Sequence, residues 1–265
     1  MGKFVHGWEP DKPDVGDHLY EEHAYKVEQM AVLPSSVNLS PGCSPAYDQG
    51  QRGSCTGNGI AALIEFLMKK QKNQSFMPSR LFIYYNERVM EGTINEDAGA
   101  EIRDGIKSVV KQGVCAETEW PYSDDDETFK ERPSDQCYKD ALLHQALSYQ
   151  RIPVHNLTLM KNCLAAGYPF TFGFRVYESF ESQQVADTGI MPMPARREQF
   201  LGGHCVDAFG YDDAAGHFLI RNSWGTDWGM SGTPGDVNRG YFTMPYDFLL
   251  KAKMTDDFWT IRSME

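Results

Sequence analysis

The chain contains no CxxC pair, and its six cysteines, at 43, 55, 115, 137, 163 and 205, are spread over 265 residues. That spacing excludes a thioredoxin-like redox motif and a zinc knuckle, and the density is too low for a small disulfide scaffold. With one cysteine reserved as a nucleophile, at most two disulfides remain with one thiol left over. The expectation is that most of the others are reduced core residues. No apolar run is long enough to cross a bilayer. The opening MGKFVHGWEPDKPDVGD lacks the apolar stretch of a secretory signal as written, which leaves localisation open. Positive charge is scarce too: 25 Lys and Arg against 37 Asp and Glu give a net charge of −12. Such a surface repels nucleic acid and anionic membrane but does not select against a neutral or basic peptide. The histidines at 6, 18, 23, 144, 155 and 217 form no metal set. Asp236 and Asn238 lack the twelve-residue spacing of a calcium loop and read as a polar turn. Internal repeats and low-complexity blocks are also missing.

With 41% hydrophobic and 23% charged residues, the composition is that of a globular protein. The length suits one large domain or two lobes sharing an interface. Residues 1–32 are polar, rich in Asp, Glu and Pro, and read as an extended arm with a short helix at 19–30. LPSSVNLS, 33–40, is the expected entry into the fold. From Cys55 to about Lys70, Ile60, Leu63, Ile64 and Leu67 recur at helical spacing. Further helices are expected at Ser79–Glu91, behind Pro78 and Ser79, and at Ala100–Gln112, stopped by Gly113. The segment 120–137 reads as an acidic loop and 138–147 as a short helix. Strand signals begin near Tyr149 and continue at 169–174, 206–211, 217–222 and 240–244, interrupted by a helix at 157–166. The first half is therefore helical and the second β-rich.

Cys55 lies where the glycine-rich loop DQGQRGS becomes a helix. Unsatisfied backbone N–H groups at a helix N-terminus stabilise a thiolate, and an N–H at such a corner can face a developing oxyanion. Gln49 could supply a second donor. Alternatively, Cys55 is a buried structural thiol beside a tight turn. His204, in GGHCVDAFGYD, is a candidate base at a strand start. Asn222, at the end of FLIRN, could accept from the other ring nitrogen and fix the tautomer, with Trp224 shielding that bond. A core histidine and a packed aromatic turn are the plainer readings of the same residues.

Together, DQG…GSC, GGH and NSWGTDWG resemble the papain-like cysteine peptidase family, over most of residues 33–245. GWEPDKPD, LPSS, YDQGQRGSC and EWPY are most similar to its bacterial, xylellain-like group. The resemblance implies an α+β fold of two lobes, a helical left lobe over roughly 48–148 and a β-barrel-like right lobe over roughly 149–245 with crossing terminal segments. The active site would lie in the cleft between them, within a catalytic domain of residues 33–265. It also implies hydrolysis of peptide bonds in peptide or protein substrates, with no cofactor and no metal. Cys55 matches the nucleophile, Gln49 the oxyanion glutamine, His204 the base and Asn222 its orienter. Trp224 matches the indole over the His–Asn pair and Trp228 the second tryptophan lining the cleft. A monomer is expected, with no nucleic-acid or membrane partner. Arg52 stands where most of the family has a disulfide cysteine, and Thr56 replaces an aromatic. The usual glycine-rich segment of the left lobe is missing. INEDAGAEIRDG, 94–105, is expected to take its place, with Asp97, Ala98 and Gly99 lining the cleft; Gly203 and Cys205 are further substrate-pocket candidates. The arm is expected either to cover the cleft or to pack away from it. A catalytically silent peptide binder and an acyltransferase are the rival functions for the same residues.

Overall fold

A computed structural model describes residues 5–20, 33–72, 74–231, 236, 238–251 and 253–265. The arm contributes the short strand β1, Trp8–Glu9, and the body begins with β2, Ser36–Asn38. The expected helix at 19–30 lies almost wholly outside the described residues. Helix α1, Cys55–Lys72, starts at the proposed nucleophile, and its residues Ile60, Leu63, Ile64 and Leu67 are fully buried. Helix α2, Arg80–Glu91, is bounded as its sequence signals require. The Ser79 side chain accepts from the Phe82 amide, and Gly92 closes the helix in the left-handed region at φ 75°.

The third helix begins two residues later than its periodicity suggests. Ala100–Glu101 form strand β3, which pairs in parallel with β1 (Trp8 opposite Ala100), and α3 covers Ile102–Gln112. Pairing with the arm has overridden helix propensity at those two positions. Helix α4, Asp135–Ala141, is set by the Ser134 cap and so lies earlier than the expected 138–147, because Ala146 already enters β4, Ala146–Arg151. The remaining elements are α5, Leu157–Ala165; β5, Phe170–Tyr177; α6, Gln183–Thr188; β6, Phe200–Asp212; β7, His217–Arg221; β8, Tyr241–Pro245; α7, Tyr246–Leu250; and β9, Thr255–Met264.

Seven strands form one antiparallel sheet in the order β4-β9-β5-β6-β7-β8, with β2 paired to β6. The barrel-like right lobe is in fact this open sheet, and the reason lies in how β6 divides its side chains. Val206 and Ala208 point into an aromatic core with Phe170, Phe172, Phe174 and Phe242. Cys205, their neighbour in sequence, belongs to a second core with α1, α2 and α3, joined by Trp259 and Ile261 of β9. Both faces of the sheet are thus covered, one by its own aromatics and one by the helices, which leaves no exposed apolar face for closure to hide. Strand β9, unassigned from sequence, sits between β4 and β5 and ties the chain's end to both cores. Among the described residues, no helix is long and apolar enough to cross a membrane, and no cluster of three or more His, Cys, Asp or Glu could hold a metal.

Candidate active site

Three separate segments meet at the start of α1. The loop before Cys55 is stitched to the loop after β7: the Gln49 amide donates to the Ser223 carbonyl at 2.9 Å and the Gly225 amide to the Tyr47 carbonyl at 2.8 Å. Strand β6 then lays its 204–205 peptide beside Cys55, near enough for the Cys205 backbone amide to favour the Cys55 thiolate. His204 is fully buried beside that contact.

The His204 ring is held by Asn222. Its Nε2 is 2.8 Å from Oδ1 of Asn222, and the same oxygen accepts from the Ser223 amide at 2.9 Å. Because the Asn222 oxygen can only accept, Nε2 carries the proton. The basic nitrogen is then Nδ1, which is buried and has no hydrogen-bond partner. Trp224 stacks on the ring at 4.8 Å between centroids and 26° between planes. Trp228 stands edge-on behind Trp224, packed on Phe180 and Phe242 and almost wholly buried.

Gln49 is fully buried with both ends of its amide engaged. Oε1 accepts from the Ser223 hydroxyl at 2.6 Å, which directs Nε2 to the Arg52 carbonyl at 2.8 Å and to the Val5 carbonyl of the arm at 3.4 Å. The arm carbonyl therefore shares the Gln49 Nε2 donor with Arg52. Replacing Gln49 with Ala is expected to lower kcat by 10²–10³-fold, about 3–4 kcal/mol, with little change in KM. Steady-state kinetics on a short peptide measure this, and an unchanged kcat removes the donor role.

Residues 5–9 of the arm lie against Gln49, Gly53, Gly99 and Gly203. The Gly7 backbone amide is near enough to the Cys55 thiol to favour its thiolate. His6 Nε2 lies 2.8 Å from Glu181 Oε1. The Trp8 indole is buried, and its Nε1 donates to Asp257 at 3.1 Å. Glycines make room for this passage: a Cβ on Gly99 would meet the Gly7 carbonyl at 2.3 Å, and one on Gly173 would meet the indole at 1.9 Å. On Gly203 a Cβ would fall 2.4 Å from the Trp8 carbonyl. Gly99 and Gly203 thus lie against Gly7 and Trp8 of the arm, whereas Ala98 is solvent-exposed nearby.

Two pocket candidates are engaged by other partners. Cys205 turns its thiol away from the cleft, against the Thr171 hydroxyl at 3.1 Å and the Gly59 turn of α1; only its backbone reaches Cys55. Strand alternation dictates this, since neighbours of His204 must face the opposite side. Asp97 is engaged in bracing: its carboxylate accepts from the Gly53 amide at 3.1 Å, from the Tyr84 hydroxyl at 2.6 Å and from Arg52 Nη1 at 3.1 Å.

Arg52 itself is the residue whose importance the sequence understated. Its buried guanidinium also donates to the carbonyls of Asp124 and Asp125, both at 2.8 Å, and lies over the Phe129 ring. The cross-link expected from a disulfide elsewhere in the family is made here by charge and hydrogen bonds, and none of the six cysteines, all among the described residues, is disulfide-bonded. Arg52→Ala would orphan two carbonyls and leave Asp97 without its cation. The expected loss is about 3 kcal/mol, read as a lower urea midpoint; an unchanged midpoint would show that the bracing adds nothing. Tyr122 supports the same loop, donating to the Gln49 carbonyl at 2.8 Å and meeting the Ser54 hydroxyl at 2.6 Å. Tyr122 did not stand out in sequence, and Arg52 did so only as a replaced cysteine, because their partners are distant in the chain.

The electrostatics are those of a closed site. Burial pushes the Cys55 thiol up to about 12, with the amides of Cys205, Gly7 and Thr56 only partly opposing it. Burial likewise pulls His204 down to about 3, against the bond to Asn222.

The comparisons with known proteins agree with this geometry. Residues 33–240 match the model of the papain family cysteine proteases. An uncharacterized peptidase C1-like protein of Acanthamoeba polyphaga mimivirus is 40% identical over 261 residues, 96% of this chain and 77% of that protein. The crystal structure of xylellain, a cysteine protease from Xylella fastidiosa, superposes with a TM-score of 0.88 at 41% identity, covering 100% of this chain and 99% of that one. Cathepsin K of Gallus gallus is 27% identical over 71% of this chain, which spans 54% of that protein's length. The chain belongs to the papain family of cysteine proteases.

Proposed function

We propose that the chain is a cysteine endopeptidase whose cleft, between lobes of roughly 48–148 and 149–245, is held closed by its own N-terminal arm. The observation that carries this reading is the contact of both the 204–205 peptide and the arm amide of Gly7 with one thiol, that of Cys55. When the arm leaves, water re-enters and the desolvation that keeps thiol and imidazole neutral is lifted. His204 Nδ1 then takes the thiol proton. The thiolate attacks a peptide carbonyl, and the oxyanion forms between the Cys55 backbone N–H and Gln49 Nε2. The imidazolium protonates the leaving amine, after which neutral His204 activates water to cleave the thioester. Asn222 holds the ring in the tautomer this requires, and Trp224 keeps water from their bond.

Treatment with a peptidyl epoxide, followed by peptide mapping, tests the reading. Expected is one adduct, on Cys55, together with loss of hydrolysis of a fluorogenic peptide in proportion to labelling. Labelling without any hydrolysis would leave a peptide binder. Hydrolysis that persists after full labelling would place the chemistry elsewhere.

A further inference from the structure

The joint between arm and body carries an imbalance of buried charge. Three carboxylates meet there: Asp11 and Asp17 from the arm and Asp257 from β9, with side chains 0%, 6% and 0% exposed. Two guanidiniums face them, Arg103 of α3 at 5% and Arg151 of β4 at 16%. Asp17 takes the best of both, with Arg103 at 2.8 Å and Arg151 at 2.9 Å. Arg151 also reaches Asp257 Oδ1 at 2.6 Å. Asp11 is left with Arg103 at 3.8 Å, the Trp259 indole at 2.8 Å and the Arg103 amide at 3.2 Å. Asp257 Oδ2 receives the two arm donors, the Trp8 indole and the Asp11 amide at 2.8 Å.

The surroundings do not repair the imbalance. The basic neighbours are Lys12 and Lys107, and Lys107 is paired to Asp14 at 3.0 Å. Acidic neighbours are more numerous: Glu9 on the arm, Glu91 on α2, Glu101 and Asp104 around α3, and Asp256 on β9. His18 of the arm turns to the Tyr149 ring. Three buried anions against two buried cations leave one uncompensated negative charge, which a proton cancels.

We propose that this joint is a proton-linked latch, with the arm docking on the cleft as a proton is taken up by the Asp11–Asp257 pair and loosening as that proton is lost. The proposal rests on the reading of the arm as a cover for the active site. Desolvation, then the nearby Asp11 charge, lift Asp257 to about 7 when the arm is docked, and burial also raises Asp11. With the arm released, both carboxyls regain water and return toward the ordinary carboxylate range. The docked state therefore binds more protons between those values, and docking strengthens as pH falls from about 7 toward 5. Asp17 has the opposite sign, since against its burial the two arginines lower it, but both of its values lie below that window.

Hydrogen exchange of the arm peptide spanning residues 5–12, corrected for the intrinsic pH dependence of exchange, reads docking without reference to catalysis. On the full chain, protection at pH 5.5 should exceed that at pH 7.5 by roughly 25-fold, as uptake of one proton with a docked value of about 7 gives. In Asp11→Asn, which balances the joint at two charges each, the two pH values should give protection within about twofold. Asp14→Asn, at the exposed pair with Lys107, should leave the wild-type dependence. Protection that is flat with pH, or that rises toward pH 7.5, overturns the latch. The covering role is read separately, from the ratio of kcat/KM between a form lacking residues 1–10 and the full chain. A ratio near one beside pH-dependent protection keeps the latch and removes autoinhibition. A large, pH-independent ratio beside flat protection does the reverse.

Discussion

Cys55→Ala, made on a form lacking residues 1–10 so that the cleft is open, is expected to lower kcat/KM on a short peptide by about 10⁵-fold. Removing a nucleophile that works as one unit with its base disables the whole covalent route. What survives is the modest contribution of binding and the oxyanion donors. The fold should be indifferent to the change. The side chain loses a single buried sulfur, and Ser54, Asn58 and the α1 backbone keep their own bonds: Asn58 Nδ2 to the Ser54 carbonyl at 2.9 Å and the Asn58 amide to the same carbonyl at 3.0 Å. Activity within tenfold of the parent, with an unchanged melting curve, would mean that Cys55 is not the attacking group.

Trp8→Ala in the full chain should act in the opposite direction, raising kcat/KM by about 10²-fold. The indole is the arm's anchor. It is buried between the glycines at 173 and 203, where no larger residue fits, and its N–H is satisfied by Asp257. Truncating a buried tryptophan costs about 3–5 kcal/mol. Even if half of that bears on docking, the closed population falls by one to two orders of magnitude. Alkylation of Cys55 by iodoacetamide should accelerate in parallel, because the burial that holds its thiol near 12 goes with the arm. Equal rates in parent and variant, with both folded, would show that the arm does not limit access.

What was legible in the sequence was local or motif-borne. The starts of α1 and α2 could be placed because Pro78, Ser79 and the spacing of Ile60, Leu63, Ile64 and Leu67 act within one or two turns. The relation of His204 to Asn222 was legible because their segments are adjacent strands separated by one short turn. Long-range effects were less visible. Ala100 and Glu101 continue the helical spacing of Ile102, Ile106 and Val109, yet they pair with Trp8 and Glu9 of the distant arm. Asp97 and Cys205 stand beside the cleft in sequence terms, but each is turned aside by a partner the sequence does not announce, Arg52 in one case and Thr171 in the other. Strand β9 carries charged residues at its start, Asp256 and Asp257, which hid its central place in the sheet. Those acids serve the arm joint at its edge while Phe258, Trp259 and Ile261 fill the two cores.

The buried guanidinium at position 52 has one more consequence. A thiol nucleophile works only while reduced, yet a frame braced by cystine weakens under the very conditions that protect such a thiol. Here the brace is ionic, so strong reductant should sustain Cys55 without slackening the loop that presents it. The frame is sensitive instead to agents that compete for guanidinium partners, which makes guanidinium chloride, more than dithiothreitol, the reagent to which this site is vulnerable.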